Sequence, residues 1–314
     1  MILAGDIGGT KTTLALCDDK GGIQREATEA SSDFASLEDV ITKFAPGEVT
    51  AACFGVAGPV VDGTAKITNL PWTIAQSSLE KKLHAKVKLL NDLQATALGM
   101  LVLPESAWKT LQAGARPEHG TIAVIAPGTG LGEALLFHDG RAYHALPSEG
   151  GHADFAPTTD EEIELLRFLR GRYGDHISNE RVLSGNGIGD LYDFCRMEAG
   201  SDGAEPLVGD RNAAISKAGL AKTDPCAVRA LELFAAILAG EAGNHALRGL
   251  ALGGIVIGGG IPPKLLPVLE TSTFMDRLTA KGRFHSWMRG LSVRVALEPR
   301  AALLGAAHQA SLLL

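Results

Sequence analysis

Apolar residues fall into short runs early in the chain and take helical spacing later. Met1 to Leu3 and Leu14 to Leu16 flank Asp6-Ile7-Gly8-Gly9-Thr10-Lys11. Two such runs around a glycine-rich segment predict two strands and a tight turn. The hairpin continues to about Thr28, with Asp19-Lys20-Gly21-Gly22 as its next turn. Leu37 to Phe44 has the spacing of a helix, and Val49 to Val56 is apolar and β-branched enough for a strand. Gly55-Val56-Ala57-Gly58-Pro59 ends that strand in a further glycine turn. Leu79 to His84 reads as helix, Val87 to Leu90 as a strand closed by Asn91-Asp92, and Leu93 to Leu103 as helix. A second meander opens at Thr121. There Ile122 to Ala126 and Ala134 to Phe137 enclose Pro127-Gly128-Thr129-Gly130-Leu131-Gly132. Long helices follow over Asp160 to Arg170, Gly187 to Met197 and Pro225 to Leu250, the last with Leu231, Phe234, Ile237 and Leu238 on one face. Ile255 to Ile257 is a buried strand running into Gly258-Gly259-Gly260. Val293 to Leu297 is another strand and Ala301 to Leu314 a terminal helix. Gly200 to Asp210 follows neither rhythm.

The opening order β-β-β-α-β-α is not the strict alternation of a dinucleotide-binding fold, so the sheet is expected to be mixed. The expected organisation is a small α/β domain of residues 1–103 completed by the helix 301–314, and a large α/β domain of 104–300. At 314 residues the chain has room for two cores. Its 38 glycines exceed the usual share and gather at strand ends, where they allow close approach of backbone to a ligand. The net charge of −7, without a basic run, argues against nucleic acid as a partner. Cys17, Cys53, Cys195 and Cys226 lie far apart and read as reduced thiols of a cytoplasmic protein. No secretory signal is evident, and the longest apolar stretch, Leu250 to Ile261, is too short to span a bilayer.

The two Gly-Thr turns hold the first candidate chemistry. Asp6 before Gly8, Gly9 and Thr10 can hold magnesium, through water, while Thr10 and turn amides touch phosphate. A plain β-turn with Asp as turn former is the alternative. The second turn, at Gly128 and Thr129, strengthens the phosphate reading, since facing hairpins can hold one polyphosphate. A Walker P-loop is ruled out, because Gly-x-x-x-x-Gly-Lys-Ser/Thr does not occur. Asn91-Asp92 sits where a strand meets a helix. Taken alone the junction reads as an N-cap; the other reading makes Asp92 a general base for an attacking hydroxyl. Glu149 and His152 could pair on one sugar. The glycines between them argue against a helical Glu-x-x-His metal site, and a structural histidine stays possible. Glu180 is either a third sugar ligand or a surface glutamate paired to Arg181 or Arg172. Gly258, Gly259 and Gly260 suit the approach of a nucleoside, or simply a strand-to-helix turn.

Together these segments resemble the bacterial glucokinase family, within the sugar-kinase and actin-like ATPase superfamily. The resemblance runs over nearly the whole chain. It takes in Gly5 to Thr10, Thr68-Asn69-Leu70-Pro71-Trp72, Asn91-Asp92, Gly128 to Gly132, Glu149-Gly150-Gly151-His152-Ala153-Asp154-Phe155-Ala156-Pro157, Glu180-Arg181-Val182-Leu183-Ser184-Gly185, Gly258 to Ile261, Lys281-Gly282-Arg283-Phe284 and Leu303-Leu304-Gly305. It implies two ribonuclease-H-like domains with mixed sheets, of the actin-like ATPase and hexokinase type, flanking a cleft. It implies transfer of phosphoryl from ATP, with Mg2+, to the 6-hydroxyl of glucose. Asp92 would be the base, and Asn91, Asp92, Glu149, His152 and Glu180 would bind the sugar. Asp6, Gly8, Gly9, Thr10, Lys11, Gly128 and Thr129 would hold phosphates and metal, and Gly258 to Gly260 the adenosine. Family members are commonly homodimers. Lys11 departs from the asparagine of many members and is more like the ROK group. That group's zinc-binding cysteine cluster cannot form here, since no cysteine lies between Cys53 and Cys195. Kinases for another hexose or an amino sugar, ADP or polyphosphate as donor, and a sugar-sensing protein of the same fold remain as alternatives.

Overall fold

The computed structural model describes residues 1–67, 70–200 and 210–314. Thr68-Asn69 and most of the patternless stretch, 201–209, lie outside the described residues. The chain forms two compact units: Met1–Ala107 with Asp139–Pro147 and Glu298–Leu314, and Trp108–His138 with Ser148–Leu297.

The first unit contains, in order, β1 (Ile2–Ile7), β2 (Lys11–Cys17), β3 (Ile23–Ala30), α1 (Leu37–Phe44) and β4 (Ala51–Val56). A small sheet of β5 (Val60–Val61), β6 (Thr64–Lys66) and β7 (Thr73–Ala75) follows, then α2 (Gln76–Leu83), β8 (Lys86–Asn91) and α3 (Asp92–Met100). The main sheet has the order β3-β2-β1-β4-β8. Strands β1, β4 and β8 are parallel, whereas β2 and β3 are antiparallel additions, so the sheet is mixed as expected. Alternation along β1 sends Leu3 and Ile7 to a core shared with Phe54, with Leu37 and Ile41 of α1 and with Leu79 of α2. Ile2, Ala4 and Asp6 take the other face. Their partners on β4 are the small residues Ala51, Cys53 and Gly55. Helix α3 and the C-terminal helix Ala301–Ser311 cross there with their backbones nearly touching. A Cβ on Gly99 would stand 1.8 Å from Ala301 O, and one on Gly305 1.8 Å from Ala95 O.

In the second unit β9 (Trp108–Gln112), β10 (Ile122–Pro127) and β11 (Leu131–His138) precede β12 (Tyr143–Leu146), which groups with the first unit, and β13 (Gly254–Ile257) and β14 (Val293–Ala296) follow the helices. Its own strands run in the order β11-β10-β13-β14-β9. Again an antiparallel hairpin, β10–β11, feeds parallel neighbours, β13 and β14. The helices are α4 (Asp160–Tyr173), α5 (Asn179–Val182), α6 (Gly185–Glu198), α7 (Arg211–Leu220) and α8 (Pro225–Arg248), with shorter ones after β13. Helix α8 starts where it does because Asp224 accepts the amides of Cys226 and Ala227, and Pro225 has no amide to lose. Leu231, Phe234 and Leu238 of α8 are fully buried against Ile125 and Ile255 of the sheet and Phe194 of α6. Among the described residues no helix is long and apolar enough to cross a membrane.

Candidate active site

In the first unit the tight turn between β1 and β2 closes with Gly8 N donating to Lys11 O at 2.9 Å. Ser31, fully buried, fastens it from beneath. The Ser31 hydroxyl donates to Gly8 O at 2.8 Å, its amide donates to Thr10 O at 3.0 Å, and Thr12 Oγ1 lies 2.9 Å from its oxygen. Thr10 and Lys11 are left facing solvent. Sequence reasoning passed over Ser31, because a lone serine after a strand carries no pattern; its burial is set by tertiary contact.

Asp6 lies one strand away from the end of β8, where Asn91 and Asp92 begin α3. Gly55, on β4 between those strands, makes the room: a Cβ there would come within 2.7 Å of Ala95 Cβ and 3.8 Å of Asp92 Cα. Burial, and secondarily the charge of Asp92, push the Asp6 carboxyl up to about 6. Two acidic groups at the end of parallel strands, one of them starved of water, form an environment that a divalent cation would relieve. Among the described residues no three His, Cys, Asp or Glu gather as a metal cluster.

Asn91 is the N-cap of α3. Its Oδ1 accepts from Leu93 N at 2.9 Å, its Nδ2 donates to Gly58 O at 3.2 Å, and its amide donates to Gln94 Oε1 at 3.2 Å. One Nδ2 hydrogen is left for another acceptor. Asp92 is the first helical residue, half-buried, and its Oδ1 accepts from Leu93 N at 2.7 Å. The capping role and the candidate base thus fall to adjacent residues.

The second unit brings its candidates together around Pro127 and Leu131. Gly128 N donates to Gly130 O at 2.8 Å, and Gly185 N at the start of α6 donates to Gly128 O at 2.9 Å. Thr129 is exposed at the tip. The loop after β13 packs on this turn: Gly258 N donates to Ile125 O at 2.8 Å, and Gly259, with φ +83°, has no room for a Cβ, which would meet Pro127 O at 2.3 Å. Gly259 and Gly260 are exposed.

Leu131 ties the turn to the other candidates through both of its backbone groups. Its amide donates to Glu180 Oε2 at 2.9 Å. Its carbonyl lies where Gly151 passes so closely that a Cβ would stand 2.1 Å away. Gly150–His152 forms a single 3-10 turn, with His152 N donating to Glu149 O at 2.9 Å. Beyond it Asn179 N donates to Ala153 O and Phe155 N to Ile177 O, which brings α5 and Glu180 alongside. Glu180 is therefore no surface partner of Arg172, which binds Asp190 and Asp193 instead. Glu149 and His152 are open to solvent, His152 Nε2 standing 3.9 Å from Glu149 Oε2.

A solved glucokinase from an Antarctic psychrotroph superposes with a TM-score of 0.86 at 31% identity, over 98% of each chain. A ROK family glucokinase from Streptomyces griseus, solved with glucose and AMPPNP, shares the fold at TM-score 0.62 and 21% identity, over 98% of each chain. Fold and site together define the class: a sugar kinase of the hexokinase type, built from mixed α/β units. The sequence profile of the family described as Glucokinase matches residues 3–312. A curated glucokinase of Trichormus variabilis is 38% identical over 335 aligned positions, covering 98% of both chains. The chain belongs to the glucokinase family.

Proposed function

We propose that the protein transfers the γ-phosphoryl group of ATP to the 6-hydroxyl of glucose, with Asp92 as general base. The observation that carries the reading is the placement of the Asp92 carboxylate beside the cap residue Asn91 and the acidic Asp6 at the ends of parallel strands. Full-length similarity to glucokinases supports it.

Asn91 keeps Oδ1 on the helix cap and gives the spare Nδ2 hydrogen to a sugar hydroxyl. Glu149 and His152 accept and donate to further hydroxyls from their exposed turn. Glu180 holds the second turn with Oε2 and offers Oε1 to the sugar. As the O6–phosphorus bond forms and the bond from phosphorus to the ADP oxygen breaks, the O6 proton passes to Asp92. The transition state is loose, so its proton is taken late and the base needs little strength. The amides around Gly8 to Thr10 and Gly128 to Thr129 hold phosphate oxygens, Lys11 adds a charge, and Gly258 to Gly260 pass close to the nucleoside. Asp6 would hold magnesium through water, and the ion would neutralise phosphate charge. Four free cysteines suit a reducing cytoplasm. A homodimer is the assembly the family resemblance suggests, and sedimentation at micromolar concentration tests it.

A coupled assay over a panel of hexoses and donors tests the whole reading; the expected outcome is glucose 6-phosphate from ATP. Turnover of an amino sugar with none of glucose would overturn it. Asp92→Asn should lower kcat by about 10²–10⁴ while glucose still binds. Near-normal turnover in that variant would return Asp92 to a purely structural place at the helix start.

A further inference from the structure

Beneath the turn that carries Glu149 and His152 lies a charged residue that the proposed mechanism does not use. Glu133 on β11 is 1% exposed, on a strand whose inward positions are otherwise apolar. Its Oε2 fills the space a Cβ on Gly150 would need, only 2.3 Å from that position. Its Oε1 is buried and receives no hydrogen from any donor. The side chain that Glu133 does meet is Glu241 of α8, itself 3% exposed. Two ionised carboxylates in contact away from water repel each other, and a proton shared between them relieves the repulsion. The neighbours do not supply that proton. His245 is buried, and its Nε2 points at Ala134 O at 2.9 Å, so that nitrogen carries the ring hydrogen. Burial disfavours the charged ring, against hydrogen bonding to the backbone of Ala134 and Val124, and Nδ1 stands 3.6 Å from Glu133 Oε2. Arg248 is engaged by Glu241 at 2.5 Å and reaches Glu133 only at 4.0 Å. Lys281, beyond Glu241, donates to Gly240 O and Asn244 Oδ1.

We propose that Glu133 is a positioning residue for sugar binding: by sharing one proton with Glu241 it holds the Gly150–Gly151 turn in the form that presents Glu149 and His152 to glucose. The inference rests on the reading of those two residues as sugar contacts. Burial, and then the Glu241 charge, raise the Glu133 carboxyl to about 7. Above that pH the shared proton leaves, two buried negative charges face each other, and Glu133 is driven against the turn. Glucose affinity therefore falls as pH rises through neutrality. The variant, and not the slope alone, decides the matter.

The test is the dissociation constant of glucose for the whole chain, by calorimetry from about pH 6 to 9. Wild-type affinity is expected to weaken by about threefold or more over that range, while Glu133→Gln, a neutral mimic of the protonated acid, keeps its low-pH affinity throughout. A Glu133→Gln curve parallel to wild type, or a flat wild-type curve, would overturn the proposal. Should Glu133→Gln fail to fold, Glu241→Gln, which also removes the facing charge, is expected to abolish the decline; a decline that persists there counts against the proposal. Glucose that binds at no pH would remove the sugar reading itself, and this proposal with it.

Discussion

Asp6 is held in the fold at a cost that only its ionised form incurs. Its carboxyl is raised from 3.8 to about 6, so the neutral acid is the form the apo fold prefers. The sign follows: the fold is relatively most stable below the unfolded value, and loses stability as pH rises through the folded one. At pH 7.5 the loss is at most about 3 kcal/mol, the free-energy equivalent of that rise in the carboxyl's pKa. Asp6→Asn should therefore raise Tm at pH 7.5 by several degrees while impairing turnover, and should leave Tm near pH 4 little changed. Thermal scans at the two pH values check this; equal Tm for both proteins at pH 7.5 would show that Asp6 is not strained. A residue kept where it destabilises the resting protein is the expected mark of a functional group.

At the level of elements, the crossing of α3 with the C-terminal helix is the tightest contact described. Gly99 and Gly305 each sit against the other helix's carbonyl, and Asp92 heads one of the two helices. Alanine at either glycine should cost about 1–3 kcal/mol or more through overpacking. Thermal unfolding should show the loss, and kcat should fall as well because α3 shifts. An unchanged Tm would mean that the helices can separate without penalty. Such an interlock could not be read from spacing: in the sequence Gly99 is only a weak point within a helix, and its partner lies some 200 residues away. The elements with a strong rhythm were legible, among them both Gly-Thr hairpins, the helix from Pro225 and the strand before Gly258. Through resemblance Gly128 was named as a phosphate candidate and Glu149, His152 and Glu180 as sugar candidates. Ser31 and Glu133 were not, since a polar residue in isolation does not announce burial. The small β5–β7 sheet also escaped, because strands of two or three residues are too short to show an alternation. The edges moved for local reasons: α6 begins at Gly185 rather than Gly187, since Ser184 caps it through Gly187 N at 3.2 Å.

Across the whole molecule, the same plan of hairpin plus parallel strands is used twice, yet the two copies are finished at different moments. The second unit is assembled from 108–138 and 148–297. The first is not complete without Glu298–Leu314, whose helix covers Ile2, Ala4, Ala51 and Cys53. Ending the chain at residue 300 should leave that face bare, and the truncated protein should be insoluble or bind no nucleotide. Soluble, fully active protein from that truncation would show the helix to be dispensable. During synthesis the consequence runs against the usual direction. The half that leaves the ribosome first must wait for the residues that leave last, about 10–40 s at ordinary elongation rates. In that interval β1 and β4 have one face uncovered, and a chaperone has its best opportunity there.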